Sequence, residues 1–286
     1  MASLKEVKSR IVSVENTKKI TMARQMISSA RLHQMQGILE KTGHYTKELE
    51  QIAAKLVGSR HQAFDELSRP HGKGVVAIVI MSSNSGMCGS FNAKMIKELH
   101  KLPDLYPNEQ LLFFPIGKKI REALAGSGYE IHGNFDELAS KMLFKPAAQF
   151  MDELMNLFRS KEIKRADILY YHFKSMAAQC IKQEQLLPFI MTNDGRHQVK
   201  NDTDVYIFEP SRKDIFNQIL PQMLRAKFLM ALADHQTAEH AARTLAMQMA
   251  SENANDILEE LRLSYNKLRQ QNITSELLDI VGGTFA

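Results

Sequence analysis

Hydrophobic residues recur at intervals of three and four over long stretches at both ends of this chain, and that spacing constrains the fold more than any other feature. Near the start, Leu4, Val7, Ile11 and Val14 follow it. After the polar Asn16-Thr17-Lys18-Lys19 it resumes as Met35, Ile38, Thr42, Tyr45, Leu49, Ile52 and Leu56, and no proline precedes Pro70. The pattern predicts one helix from about Ser3 to Val57, about 80 Å long at ~1.5 Å per residue. Such a helix cannot bury its stripe in a small globule; it needs a partner helix, as in a coiled coil. The stretch from about Ser211 to Ile280 reads the same way. Phe216, Ile219, Met223, Ala226, Met230 and Ala233 step by three and four, and so do Ala250, Ala254, Ile257, Leu261, Ser264 and Leu268. Alanines along this seam permit close helix approach. Pro221 marks a kink or a later helix start. Two such helices at opposite ends predict an antiparallel coiled coil closed by whatever lies between them.

The middle, residues 70–209, changes period. Val75–Met81 is a continuous apolar run of the kind found in a fully buried strand. Leu111–Ile116, Asp167–Phe173 and a possible fourth run, Gln185–Met191, follow it. Helical patterns at Ala93–Leu102, Lys118–Ala125 and Ala147–Phe158 alternate with them, and Asn92 is placed to cap the first. Strands alternating with helices predict a small α/β domain with a mainly parallel sheet. The chain thus divides into an N-terminal coiled-coil helix (1–60), a central α/β domain (70–209) and a C-terminal coiled-coil helix (210–286).

Charge is uneven. The chain carries a formal net charge of +5, and residues 1–60 hold 11 Lys and Arg against 5 Glu, whereas residues 210–286 hold 8 basic against 9 acidic. The N-terminal segment is suited to an acidic protein, a nucleic acid or an anionic membrane surface. The longest apolar run spans seven residues, Val75–Met81, far below the ~20 that cross a bilayer. Membrane association is expected only through partners. Lys5, Glu6, Lys8 and Arg10 interrupt any secretory leader, and Cys88 and Cys180 are read as reduced thiols.

No catalytic, cofactor-binding or metal-binding constellation is expected. Ser82-Ser83-Asn84-Ser85-Gly86-Met87-Cys88-Gly89-Ser90-Phe91-Asn92 lies between a strand and a helix, where α/β proteins hold phosphates. It lacks the Lys-Ser/Thr of a P-loop and the dinucleotide glycines, so it reads as a tight turn. Cys88 has no neighbouring base in sequence. The histidines, His44, His100, His172, His235 and His240 among them, show no metal-ligand spacing and read as scattered surface residues. Adjacent carboxylates such as Asp65-Glu66 and Glu259-Glu260 point apart on a helix. Lys18, Lys19, Arg24 and Arg31 read either as a solvated face or as a docking face for acidic protein segments.

Several motifs in order carry a resemblance. Arg10-Ile11, Ser13-Val14-Glu15-Asn16-Thr17-Lys18-Lys19-Ile20-Thr21 resembles the "RI.SV.NT.KIT" signature of the F-type ATP synthase gamma subunit. Ser85–Asn92 is similar to its "GLCG..N" element, and Tyr206–Ser211 to "Y.FEPS". The C-terminal set is the most specific: Ala246-Met247, Asn253-Ala254, Tyr265-Asn266-Lys267, Arg269-Gln270, Ile273-Thr274, Glu276-Leu277 and Ile280-Val281-Gly282-Gly283. The resemblance, of the bacterial type, implies a central Rossmann-like domain and terminal helices that wind through a ring of three alpha and three beta subunits. It further implies an epsilon subunit and a c-ring as partners, no nucleic acid, and a peripheral place on the cytoplasmic face of the bacterial inner membrane. It assigns Lys18, Lys19, Arg24, Arg269, Gln270, Thr274 and Glu276 to contacts with beta subunits, and Leu277, Leu278, Ile280 and Val281 to an apolar bearing tip, with Phe285 nearby. Arg243 falls in its "AR..AM" element. The family often has Ala-Met where this chain has Ala23-Arg24. The implied role is a rotor that passes torque between the c-ring and the catalytic ring, coupling proton transport to ATP synthesis or hydrolysis without chemistry of its own. Two other readings are an α/β enzyme with helical extensions, and a coiled-coil scaffold or nucleic-acid-binding protein.

Overall fold

The computed structural model describes residues 3–57, 66–72, 74–140, 142–190 and 208–283; of residues 279 and 281–283 it describes the backbone alone. Two long helices occupy the ends: α1, Leu4–Val57, and α7, Arg212–Gly283. Each starts at a serine with an acid three residues on. The Glu6 amide donates to Ser3 Oγ at 3.2 Å, and the Asp214 amide to Ser211 Oγ at 3.1 Å. These serines satisfy one of the orphan amides that every helix start exposes. Pro221 lies inside α7, so it does not delay the helix start.

Two units emerge from the fold: Met1–Ser29 with Arg243–Ala286, and Ala30–Ala242. In the smaller unit the two chain ends pair, with Val7, Thr21 and Ser28 of α1 and Met247, Ala254 and Leu258 of α7 buried. Most of these are small or medium-sized residues, as close helix approach requires. Arg262 donates to Glu15 at 3.0 Å. In the larger unit Lys227 pairs with Glu50 at 3.0 Å. Within that unit the last turns of α1 pack with the first turns of α7, which is the antiparallel arrangement expected.

The stripe on α1 is half as predicted. Met35, Thr42, Leu49 and Leu56 are buried, but Tyr45 and Ile52 are exposed and their neighbours Thr46 and Ala53 are buried instead. Thr46 donates its hydroxyl to the Thr42 carbonyl at 2.9 Å, so the helix itself satisfies the polar atom. A small residue at this seam position lets the facing helix come near, and its larger neighbour stays outside.

The larger unit is built on a five-stranded sheet in the order β3-β2-β1-β4-β5. Strands β1 (Val75–Met81), β2 (Leu111–Ile116), β3 (Glu130–Ile131) and β4 (Ile163–Phe173) are parallel, and β5 (Gln179–Leu187) is antiparallel to β4. The helices between them are α2 (Phe91–Leu99), α3 (Leu102–Leu105), α4 (Lys118–Ala125), α5 (Asp136–Ser140) and α6 (Phe144–Arg159). Alternate strand residues feed two cores. On one face Ala77, Val79, Met81, Phe114 and Ile168 pack with α6, the end of α1 and the first turns of α7. On the other, Val76, Ile78, Ile80, Phe113 and Leu169 pack with Met95 and Leu99 of α2 and Ile120 and Leu124 of α4. Both faces of β1 are thus covered, which is why it reads as an unbroken apolar run.

Several expectations need correction. The strand expected at Gln185–Met191 is β5, Gln179–Leu187, and Met191 lies outside the described residues, as do residues 58–60. Five of its nine residues are polar, as an edge strand tolerates, and that hid it. β4 starts earlier than Asp167, behind the charged Lys164-Arg165. The two-residue β3 and the short α3 and α5 went unread. Asn92 does not cap α2; its Oδ1 accepts the Ser83 amide instead.

Asp167 is fully buried at the start of the sheet's apolar region and accepts Arg165 Nε at 2.9 Å and the Tyr106 hydroxyl. Burial first, then this carboxylate, push the Tyr106 hydroxyl pKa above its ordinary value. A buried carboxylate with fewer donors is destabilising. Tyr106→Phe is therefore expected to cost about 1–3 kcal/mol, measured as a shift in the urea unfolding midpoint. An unchanged midpoint would show that Arg165 and its neighbours suffice.

Candidate functional site

Three places bear on function: the surface of the paired ends, the turn after β1, and the passage of α7 across the sheet.

On the paired ends Lys18 is half-buried, and Lys19, Arg24, Arg269, Gln270, Thr274 and Glu276 are exposed, as is Arg31 in the larger unit. Among the described residues Lys18, Lys19, Arg24, Arg31 and Arg269 form no ion pair. They do not converge on one site. Glu15 faces Arg262, so Lys18 to Arg24 run alongside the stretch before Arg262, whereas Arg269 to Glu276 lie beyond it. Antiparallel pairing at that register carries α7 past the start of α1. Consistently, every described side chain after Leu268 is exposed. Leu277 and Leu278 are 57% and 66% exposed, and Ile280 is similar. The side chain of Val281, with Phe285 and residues Tyr206–Ile207, lies outside the described residues.

The same unit exposes Val12, Ile20, Met22, Met26, Ile27, Met249, Ile257, Leu263 and Ile273. A two-helix pair has one seam, and these residues are not in it. Scattered single apolar residues are ordinary on a surface; this many on one slender pair mark a surface that other protein covers. The sequence reading singled out the charged residues and the tip, and missed Met22, Met26 and Ile27. Their sequence shows only that they are apolar; the position of the seam is what leaves them outside.

The turn after β1 is closed on itself. The Ser83 amide donates to Asn92 Oδ1 at 3.2 Å, and Asn92 Nδ2 donates to Ser83 Oγ at 2.8 Å and to Cys88 Sγ at 3.2 Å. The amides that open α4 are also used: Lys118 donates to Asn84 Oδ1 at 2.8 Å, Lys119 to the Ser83 carbonyl at 3.2 Å, and Ile120 to Ser82 Oγ at 2.9 Å. A phosphate site needs such amides unspent. Gly117, at φ 107°, has the Ser82 carbonyl where a Cβ would stand, so only glycine lets the two strand ends approach this closely. Met87 and Gly89 take positive φ to complete the bend. Cys88 is buried inside it.

The passage of α7 was not foreseen. From Ala231 to Glu239 every residue is buried, whichever way it points. Four of them bond backbone groups through polar side chains, three on neighbouring elements and one on the helix itself. Asp234 accepts the Phe173 amide at 2.8 Å and lies 2.6 Å from His172 Nδ1; His235 Nδ1 accepts the Tyr171 amide at 3.2 Å. Gln236 donates to the Leu138 carbonyl at 2.8 Å, and Thr237 to the Ala233 carbonyl at 2.7 Å. His235 also packs edge-on to Phe91. It is thus a core residue and not a surface histidine. Burial pushes its pKa down to about 3, against a smaller opposing pull from the Ser82 carbonyl. Among the described residues no three metal-ligating side chains come together.

The folded form of His235 stays neutral while the unfolded form protonates near its ordinary pKa. The unfolded state therefore binds the extra proton between about pH 3 and pH 6.5, and stability falls as pH drops through that window. From pH 7 to pH 5 the group is expected to remove about 2 kcal/mol. Urea titrations at both pH values should show His235→Gln losing about that much less than the parent chain. Equal losses would count against it.

A family model described as ATP synthase matches residues 3–286. The ATP synthase gamma chain of Bacteroides fragilis is 42% identical, and that of Phocaeicola vulgatus 40%, each with the whole of both chains aligned. Among solved structures, a chain of the Euglena gracilis mitochondrial ATP synthase OSCP/F1/c-ring assembly has the same fold, with a TM-score of 0.65, 18% identity and coverage of 99% of this chain and 93% of that one. A chain of the Tetrahymena thermophila central stalk and c-ring gives a TM-score of 0.54 at 19% identity, over 81% of this chain and 99% of that one. By full-length identity, not by fold alone, this chain belongs to the ATP synthase gamma chain family.

Proposed function

We propose that this chain is the rotor of the central stalk of an F-type ATP synthase, carrying torque between the membrane c-ring and the catalytic ring of three alpha and three beta subunits. The observation that carries the reading is the outer surface of the paired chain ends. It exposes Met22, Met26, Ile27, Leu277, Leu278 and Ile280 together with Lys19, Arg24 and Arg269. An apolar surface with few fixed hydrogen bonds turns inside a sleeve without a set of bonds to break at each position. Charged residues supply contacts of ~0.2–1 kcal/mol each, weak enough to be remade in every cycle. In this reading Lys18, Lys19, Arg24, Arg269, Gln270, Thr274 and Glu276 meet beta subunits, and Leu277, Leu278, Ile280 and Val281 form the bearing tip.

The rotor acts as a ligand. Its two-helix cross-section presents unequal faces, so each orientation favours a different conformation in each of the three beta subunits. The chemistry of ATP belongs to those subunits, and this chain contributes no catalytic group. The α/β domain of residues 70–209 meets the epsilon subunit and the c-ring. No described helix is long and apolar enough to cross a membrane. In this reading the chain reaches the membrane through its partners, on the cytoplasmic face of a bacterial inner membrane.

A bead attached through a cysteine introduced at the exposed Lys174 of the α/β domain, in a complex with alpha and beta subunits, is expected to rotate during ATP hydrolysis. A hydrolysing complex whose bead stays still would overturn the reading. Arg24 tests a finer point, because a positive charge here can pair with an acidic loop of a beta subunit. Arg24→Met should leave assembly intact and change the number of protons pumped per ATP in membrane vesicles; unchanged coupling would remove Arg24 from the contact.

A further inference from the structure

A cleft of about 500 Å³ lies between α2, the turn into α3, strand β4 and the edge strand β5. We propose that it is a docking site for an acidic, amphipathic peptide segment of a partner protein. One rim is basic. Lys94, Lys97 and Lys101 recur at three and four residues, so they share one side of α2 and its extension. Glu98 is the one carboxylate among the lining residues, and it is held by Lys101 at 2.6 Å. Lys94 and Lys97 are exposed and form no ion pair among the described residues. The floor joins apolar and amide side chains: Leu102 and Leu169 are buried beneath it, Ile181 of the edge strand is half-buried between Gln179 and Gln183, and Leu105 is 59% exposed.

That combination selects the occupant. Apolar side chains of a bound segment would cover Leu105 and Ile181, and its carboxylates would meet Lys94 and Lys97 at the rim. A lipid surface fits less well, because a planar headgroup layer leaves Leu105 and Ile181 in the concave floor uncovered. A nucleic acid would need a stacking platform or arginine forks. Tyr171 is the aromatic residue of the lining. Its ring stacks on Phe91 at 4.0 Å and its hydroxyl donates to the Phe91 carbonyl at 2.8 Å, so it is already engaged. No arginine lines the cleft. The site belongs to the α/β domain and does not rest on the rotor reading.

The test titrates the purified full chain, by fluorescence anisotropy, with a labelled helical peptide of Leu and Glu and with its Leu and Gln counterpart. Binding of the Glu peptide is expected to be at least ten-fold tighter, to weaken as salt rises, and to fall at least ten-fold in K94E/K97E. Leu105→Ser should weaken both peptides several-fold. Circular dichroism checks the fold, and K94Q/K97Q replaces the reversal variant if that one does not fold. Equal binding of the two peptides would overturn the proposal, as would full affinity in the lysine variants. Pelleting of the chain with phosphatidylglycerol vesicles, abolished in the same variants while peptide binding is weak, would assign the cleft to a lipid surface instead.

Discussion

The larger unit depends on how a long helix is fixed across a sheet at the ends of its strands. Helix α7 does this with a stretch, Ala231–Glu239, that is buried on every side. A helix buried all round is usually apolar throughout. Here Asp234 and His235 sit in that stretch because the amides of Phe173 and Tyr171 at the end of β4 need acceptors. An unpaired buried amide costs about as much as a lost hydrogen bond, so the polar residues of the helix and the open strand end satisfy one another. The arrangement is directional. Sliding the helix by one residue would remove both acceptors at once, whereas a purely apolar contact could shift and repack. The apolar cores on both faces supply affinity; these polar contacts supply position.

Position matters for a chain whose work is mechanical. Torque delivered to an α/β domain reaches a helix only if the joint does not slip. Phe216, Leu220, Met223, Leu224 and Phe228 bury the first turns of α7 against one face of the sheet, and the polar stretch follows directly. Both anchor the same helix to the same sheet. The paired ends follow the opposite logic. They bury little beyond a seam of residues such as Val7, Ser28, Ala254 and Leu258, and keep apolar residues outside. A surface meant to be met by several partners in turn is better made of adaptable contacts than of fixed ones, and methionines such as Met22 and Met26 suit it.

The large elements were legible because each follows from one rule. A three-and-four spacing gives α1, which has no proline, and α7 despite its Pro221, and runs of β-branched and apolar residues give β1 and β2. The edge strand was illegible for a physical reason: with polar residues at Gln179, Lys182, Gln183, Glu184 and Gln185, its place comes from pairing with β4, not from its own pattern. The shift from Tyr45 and Ile52 to Thr46 and Ala53 was equally hidden, since hydrophobicity ranks the larger residues first while close helix packing favours the smaller. At the functional surface, the motifs pointed to the charged residues and the apolar tip. The exposed Met26 and Ile27 needed coordinates, because only the seam's position tells which apolar residues are left outside. His235 was misread for a similar reason: nothing local in sequence says that a histidine will meet a strand-end amide.

The turn after β1 shows how far this α/β scaffold is from the ligand-binding role that such turns often hold. Its location, at the carboxyl end of a parallel strand and before a helix, is where a phosphate would sit. Yet Ser82, Asn84 and Asn92 spend their side-chain oxygens on the amides of Ile120, Lys118 and Ser83, and Gly117 admits the Ser82 carbonyl into the space beside them. Each of these bonds ties β1 to the start of α2 or α4, so the polar groups that could have recognised a ligand serve instead to stiffen the sheet's end. This is the end across which α7 passes, with His235 against Phe91 and within reach of the Ser82 carbonyl's pull. A loop that opened to admit a nucleotide would loosen the residues that hold the helix in register. Binding chemistry and rigid transmission compete for the same few side chains here, and the bonds from Ser82, Asn84 and Asn92 lie on the side of transmission.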